Sequence, residues 1–198
     1  MILFLDFDGV LHPDPCTQEF HFCRLKLVED VLRGFLEVSL VLSSTWRLRQ
    51  SADTTGDHLK GYFSPDIAAR IVGVTPNHQS LDPQQAPSGI ELYPREWECI
   101  AWLRANRPHS SQWLAIDDKS YLFRPFSKNL IVTRPDTGLT ETEASQLRFH
   151  LLLHGEKQCS PLASVAERKG NFQSASKAIS IDQMNDAIAT RGTPADSK

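Results

Sequence analysis

Apolar residues gather in four short runs: Ile2 to Leu5, the VSLVL stretch from Val38 to Leu42, broken only by Ser39, the WLAI stretch from Trp113 to Ile116, and the core of NLIVT at Leu130 to Val132. None of them alternates with polar residues, so each reads as a strand buried on both faces. Between the first two runs, Leu25, Val28, Val31, Leu32, Phe35 and Leu36 recur at helical spacing, which predicts a helix over 25–37 with Gly34 as a blemish. Ser64 and Pro65 suit the N-cap and first turn of a short helix through Ile71, and Pro94 opens another, REWECIAWLRAN, with Trp97, Ile100, Ala101 and Leu103 on its apolar side. Thr140 with Glu143 makes a capping box for a helix through Leu153. Strand, helix and strand in this order predict a three-layer α/β domain with a central parallel sheet and right-handed crossovers.

The remaining stretches are irregular. In EFHFCRL, Phe20 and Phe22 alternate with His21 and Cys23, which suggests a short flap, either irregular or a hairpin. Residues 75–87 are rich in Pro, Gln and Ser without periodicity and read as a long surface loop. Beyond Gly155 the apolar density falls, and only Ile181, Met184 and Ile188 share a face, on a late helix opened by Ser180 with Gln183. The expected organisation is one main domain over 1–154 and an extension over 155–198, partly disordered or one packed helix.

Composition narrows the class only a little. The chain has 198 residues, 40% of them hydrophobic, enough for one domain with a real core. No stretch has the length of a membrane span, and the first apolar run lacks a basic region before it and is cut short by acids, so it is no secretion signal. Cys16, Cys23, Cys99 and Cys159 are scattered, which fits reduced thiols in a cytoplasmic protein better than disulfides or structural zinc. His12, His21, His58 and His78 show no mutual metal spacing and read as surface residues, while Trp97 and Trp102 read as core. A net charge of −3 argues against a large electropositive nucleic-acid footprint.

The chemistry lies where the apolar runs stop. The first ends in Asp6 and Asp8, then Gly9; the second in Ser43, Ser44 and Thr45, followed by Trp46 and Arg47; the third in Asp117 and Asp118. Each set alone is ordinary turn or cap chemistry. In a parallel sheet, however, all three ends fall on one edge, where α/β folds place their ligands. Like charges there call for a cation, and hard carboxylate oxygens with no competing His/Cys cluster suit Mg²⁺.

LDFDGVL, VLSS and AIDD, in this order and separation, resemble the motifs of the haloacid dehalogenase-like (HAD) superfamily of aspartate-nucleophile phosphatases. The resemblance runs from Met1 to about Leu153. More narrowly, SSTWR, the helix ending in AWL, IDD and DTGLT resemble the HAD domain of bacterial RNA-repair-type proteins. It implies a Rossmann-like HAD core with a flap and no large cap domain. Asp6 would be the nucleophile and Asp8 the general acid/base, with Mg²⁺ held by Asp6, the Asp8 backbone carbonyl, Asp117 and Asp118. Ser43, or Ser44 after a one-residue slip, would donate to the phosphoryl group, with Gly9 and Arg47 beside the substrate. The family's third-motif cation falls to Arg95 or to Lys119. The implied partner is a phosphorylated substrate, either a nucleic-acid end, a phosphoprotein or a metabolite. The rival is a catalytically idle HAD-fold binding or scaffold module.

Overall fold

A strand with two buried faces needs neighbours on both sides, and Ile2–Leu5 (β1) obtains them at the centre of a five-stranded, all-parallel sheet. A computed structural model describes residues 1–50, 54–107 and 112–156. Its other strands are Ser39–Leu42 (β2), Ile71–Val74 (β3), Trp113–Asp117 (β4) and Leu130–Val132 (β5), in the order β3-β2-β1-β4-β5. The helices are Leu25–Leu32 (α1), Asp57–Lys60 (α2), Pro65–Ala68 (α3), Pro94–Asn106 (α4) and Glu141–Glu156 (α5). Together they make the expected three-layer, Rossmann-like α/β core. All described residues fall in one unit, Met1–Cys159; the late helix expected near Ile181 and the rest of the extension lie outside them.

Side-chain parity sorts the strands onto two cores. Leu3, Leu5, Leu40, Leu42, Leu114 and Ile116 pack on one face with Val28, Val31 and Leu32 of α1 and Ala144, Leu147 and Leu151 of α5. Ile2, Phe4, Val41, Trp113 and Ala115 pack on the other with Cys99, Trp102 and Leu103 of α4. The expected capping box forms: Glu143 accepts from the Thr140 N–H at 2.8 Å, and the Thr140 hydroxyl contacts the same carboxylate.

Four expectations change. The first helix stops at Leu32, because the chain turns through Arg33 and Gly34, whose N–H bonds to the Val31 carbonyl instead of continuing the ladder. Ile71, expected to end a helix, begins the edge strand β3, a four-residue strand containing Gly73 and an exposed Val72, too short and mixed to show a period. The flap is a 3-10 turn at Gln18–Phe20, not a hairpin. The α4 face differs as well: Trp97, Cys99, Trp102 and Leu103 are buried with Arg95, Glu96 and Glu98, while Ile100 and Ala101 are half-buried. Between β2 and β3 the described residues hold only a 3-10 turn and the one-turn helices α2 and α3.

Candidate active site

The strand register carries the site. Leu5 pairs with Leu42 on one side and Ile116 on the other, so one step further Ser43, Asp6 and Asp117 stand in a row across three strands. The backbone confirms the row: the Ser43 N–H donates to Leu5 and the Asp6 N–H to Ile116. By parity, these residues continue the positions of Val41, Phe4 and Ala115, the face covered by α4. The first turn of α4 therefore meets the row with charged residues rather than apolar ones.

Arg95 answers the two carboxylates. Its Nη1 lies 3.7 Å from Asp6 Oδ1 and 3.7 Å from Asp117 Oδ2 and donates to the Ser43 carbonyl, and its Nε lies 3.6 Å from Glu98. Burial works against the Arg95 charge, but Asp6, Asp117 and Glu98 raise its pKa above the usual value, so it is always a cation. Lys119 occupies the rim: it is half-buried, which lowers its pKa, and Asp118, Asp6 and Asp117 more than offset that. Of the two candidates, Arg95 is the one that lies within 3.7 Å of both Asp6 and Asp117.

Asp6, Asp117 and Asp118 bring carboxylate oxygens within 4.8 Å of one another. Among the described residues, Asp117 Oδ2 and Asp118 Oδ1 are buried without a hydrogen-bond partner. Orphaned oxygens of this kind, all hard donors, fit a magnesium-class cation. Gly9 makes room for the set: its φ is +71°, and a Cβ there would lie 2.6 Å from the Asp118 carboxyl carbon. Gly9, expected beside the substrate, thus packs against the acidic pair, with its carbonyl held by the Thr133 hydroxyl at 2.7 Å. Gly9→Ala is expected to displace Asp118 and weaken thermal stabilisation by Mg²⁺ at least about tenfold in apparent affinity, read by melting at graded Mg²⁺.

In the metal-free protein the pair is costly. Burial first, and then the neighbouring Asp6, push the Asp117 carboxyl up to about 7. Because its folded pKa lies above the unfolded value, the native state binds the extra proton, and stability falls as pH rises between about 4 and about 7. Melting in a chelator should show this decline, and Mg²⁺ should stabilise most above it.

Asp8 lies outside the acidic cluster. Trp46 Nε1 donates to both its oxygens at 3.0 Å, and His12 Nε2 bonds Oδ1 at 3.1 Å. The carboxylate expected as general acid/base is thus held by an indole and an imidazole, and the ligand expected of this residue is its backbone carbonyl. His12, expected at the surface, is buried. Its local sequence gave no sign of this, whereas Trp46 follows the second motif directly and marks the contact.

Arg47, expected beside the substrate, is tied into its own loop. It is 3% exposed and donates to the carbonyls of Thr75, Ser43, Ser44 and Pro76, with Glu98 at 2.7 Å. Every donor is taken by a loop carbonyl or by Glu98, so the guanidinium holds the loop in place. Ser44 is likewise buried, its hydroxyl accepting from the Trp46 N–H at 3.4 Å, which leaves Ser43 as the hydroxyl in the row. Glu98, which no sequence signal singled out, is the hub that pairs with both arginines and accepts from the His78 N–H at 2.9 Å.

A parallel α/β sheet that sets Asp-x-Asp after its central strand and an acidic pair after the adjacent one defines a HAD-like protein. Comparison makes the assignment narrower: the family described as "HAD domain in Swiss Army Knife RNA repair proteins" matches residues 2–144. That is well over half of the chain, which belongs to this family, one of generally hydrolytic HAD domains. Neither the curated proteins nor the solved structures compared with it give a match. No helix among the described residues is long and apolar enough to cross a membrane.

Proposed function

We propose that the chain is a Mg²⁺-dependent phosphomonoester hydrolase that works through an aspartyl-phosphate at Asp6. The observation that carries this reading is the row Ser43–Asp6–Asp117 with Arg95 against it. An Asp6 oxygen attacks phosphorus in line, forming a new P–O bond as the bond to the leaving oxygen breaks. Asp8 gives its proton to that oxygen, then takes one from the water that attacks phosphorus and frees Asp6. Ser43 donates to the phosphoryl oxygens, and Arg95 fixes the nucleophile and offsets negative charge. Asp6, Asp117 and Asp118 would hold Mg²⁺, which supplies charge neutralisation for an anion attacking an anion.

Trp46 and His12 aim the Asp8 carboxylate. Trp46→Phe keeps the ring packing and loses the donor, so kcat should fall by about 10- to 100-fold with KM little changed, measured by steady-state kinetics.

The family description favours a phosphorylated nucleic-acid end as substrate, and a phosphoprotein is the alternative. The test is phosphate release from an aryl phosphate with Mg²⁺ or a chelator, followed by 3′- and 5′-phosphorylated oligonucleotides against phosphopeptides. Mg²⁺-dependent release, fastest on the oligonucleotides, is the expected result. No release, together with no thermal shift from Mg²⁺ and a phosphate mimic, overturns it in favour of an idle binding module.

A further inference from the structure

The flap gathers a second set of metal-binding side chains, apart from the acidic cluster. His12, Cys16 and His21 each offer a ligand atom, all within 4.8 Å of one another. His12 is buried, Cys16 and His21 are half-buried, and the two imidazole centroids lie 4.8 Å apart. Their spacing, H-x₃-C-x₄-H, matches no familiar metal pattern, and only the folded flap brings them together. The segment is pinned at two points: the Asp14 N–H donates to Pro135 at 2.7 Å, and the Arg24 N–H to Leu11 at 2.8 Å.

The donor set is chemically distinct from the first site. Two imidazoles and a thiolate are borderline-to-soft ligands, suited to zinc and poorly suited to Mg²⁺. His12 Nε2 is taken by Asp8, while Nδ1 meets only the Phe22 N–H at 3.4 Å, the long end of hydrogen bonding. Nδ1 is therefore the nitrogen free to ligate, with Nε2–H given to a carboxylate. That is the carboxylate–histidine–metal arrangement that orients ligating histidines in metalloproteins.

We propose that His12 Nδ1, Cys16 Sγ and a His21 nitrogen form a zinc-class binding site, with the Asp8 carboxylate as the outer partner of His12 and a fourth position open to water. Occupancy of this site and the aim of Asp8 are then linked through one imidazole. The site stands whether or not the phosphatase reading holds, because its test reads a metal spectrum and not turnover.

The probe is Co²⁺, titrated into the reduced full chain in the presence of excess Mg²⁺. The expected result is saturable uptake with a thiolate-to-cobalt charge-transfer band and intense visible d–d bands, both abolished by competing Zn²⁺. Cys16→Ser should remove the charge-transfer band while melting in chelator is unchanged, and His21→Ala should weaken uptake by about 100-fold or more. Asp8→Asn should weaken it by about 10- to 100-fold. Cys23→Ser and Asp117→Asn should leave the band intact. Absence of a thiolate band, or a band that survives Cys16→Ser and disappears in Cys23→Ser or Asp117→Asn, overturns the site.

Discussion

Asp6→Asn should abolish phosphate release, lowering kcat by about four orders of magnitude or more, while leaving the fold intact. The amide matches the carboxylate in shape and keeps an oxygen to accept the Phe7 N–H, which bonds Asp6 Oδ1 at 2.8 Å. It cannot attack phosphorus at a useful rate. It also removes one of the negative charges that raise the Asp117 pKa, so the metal-free variant should melt no lower than wild type near neutral pH. Single-turnover release and a melting curve in chelator check both halves. Residual turnover near the wild-type rate would sink the nucleophile assignment, whatever the metal dependence.

Arg95→Ala should be the most disruptive single change to both activity and stability. The guanidinium is 6% exposed and lies 3.7 Å from each of two carboxylates, so its loss leaves buried anions facing each other without a cation. Breaking a buried ion pair from one side typically costs about 3 to 5 kcal/mol. In chelator the urea midpoint should drop accordingly, and turnover should fall even at saturating Mg²⁺. Arg95→Lys should recover part of the stability and less of the activity. A lysine supplies a point charge but not the planar guanidinium whose Nη1 meets Asp6, Asp117 and the Ser43 carbonyl while its Nε reaches Glu98. If Arg95→Ala folds normally and still turns over, while Lys119→Ala does not, the third-motif cation is Lys119.

What could be read from the chain was what depends on local pattern. The strands β1, β2, β4 and β5 show as apolar runs, and their polar ends meet because a parallel sheet leaves them no other place. The acid pairs and Ser43 were legible for that reason. The edge strand β3 was not, since four residues with a glycine inside carry no period. The roles of Arg47, Glu98 and His12 were hidden for a different reason. A buried charge or imidazole is defined by its partners: for Arg47 these are Thr75 and Glu98, far along the chain, and for His12 they are Asp8 and Phe22, near in sequence but brought to the ring only by the folded turn. The second histidine–cysteine set was invisible in the same way, because a flap without regular structure has no spacing rule to reveal which side chains converge.

The inward-facing Arg47 has a mechanical consequence. Through one guanidinium it ties the backbone that presents Ser43 to Thr75 and Pro76 at the end of the edge strand, and to α4 through Glu98. Opening the Ser43 loop would strand a buried charge, so that loop and the edge strand breathe as one cooperative unit or not at all. The floor of the site is rigid by construction. Whatever accommodation a ligand demands must then come from the walls around that floor and not from the floor itself.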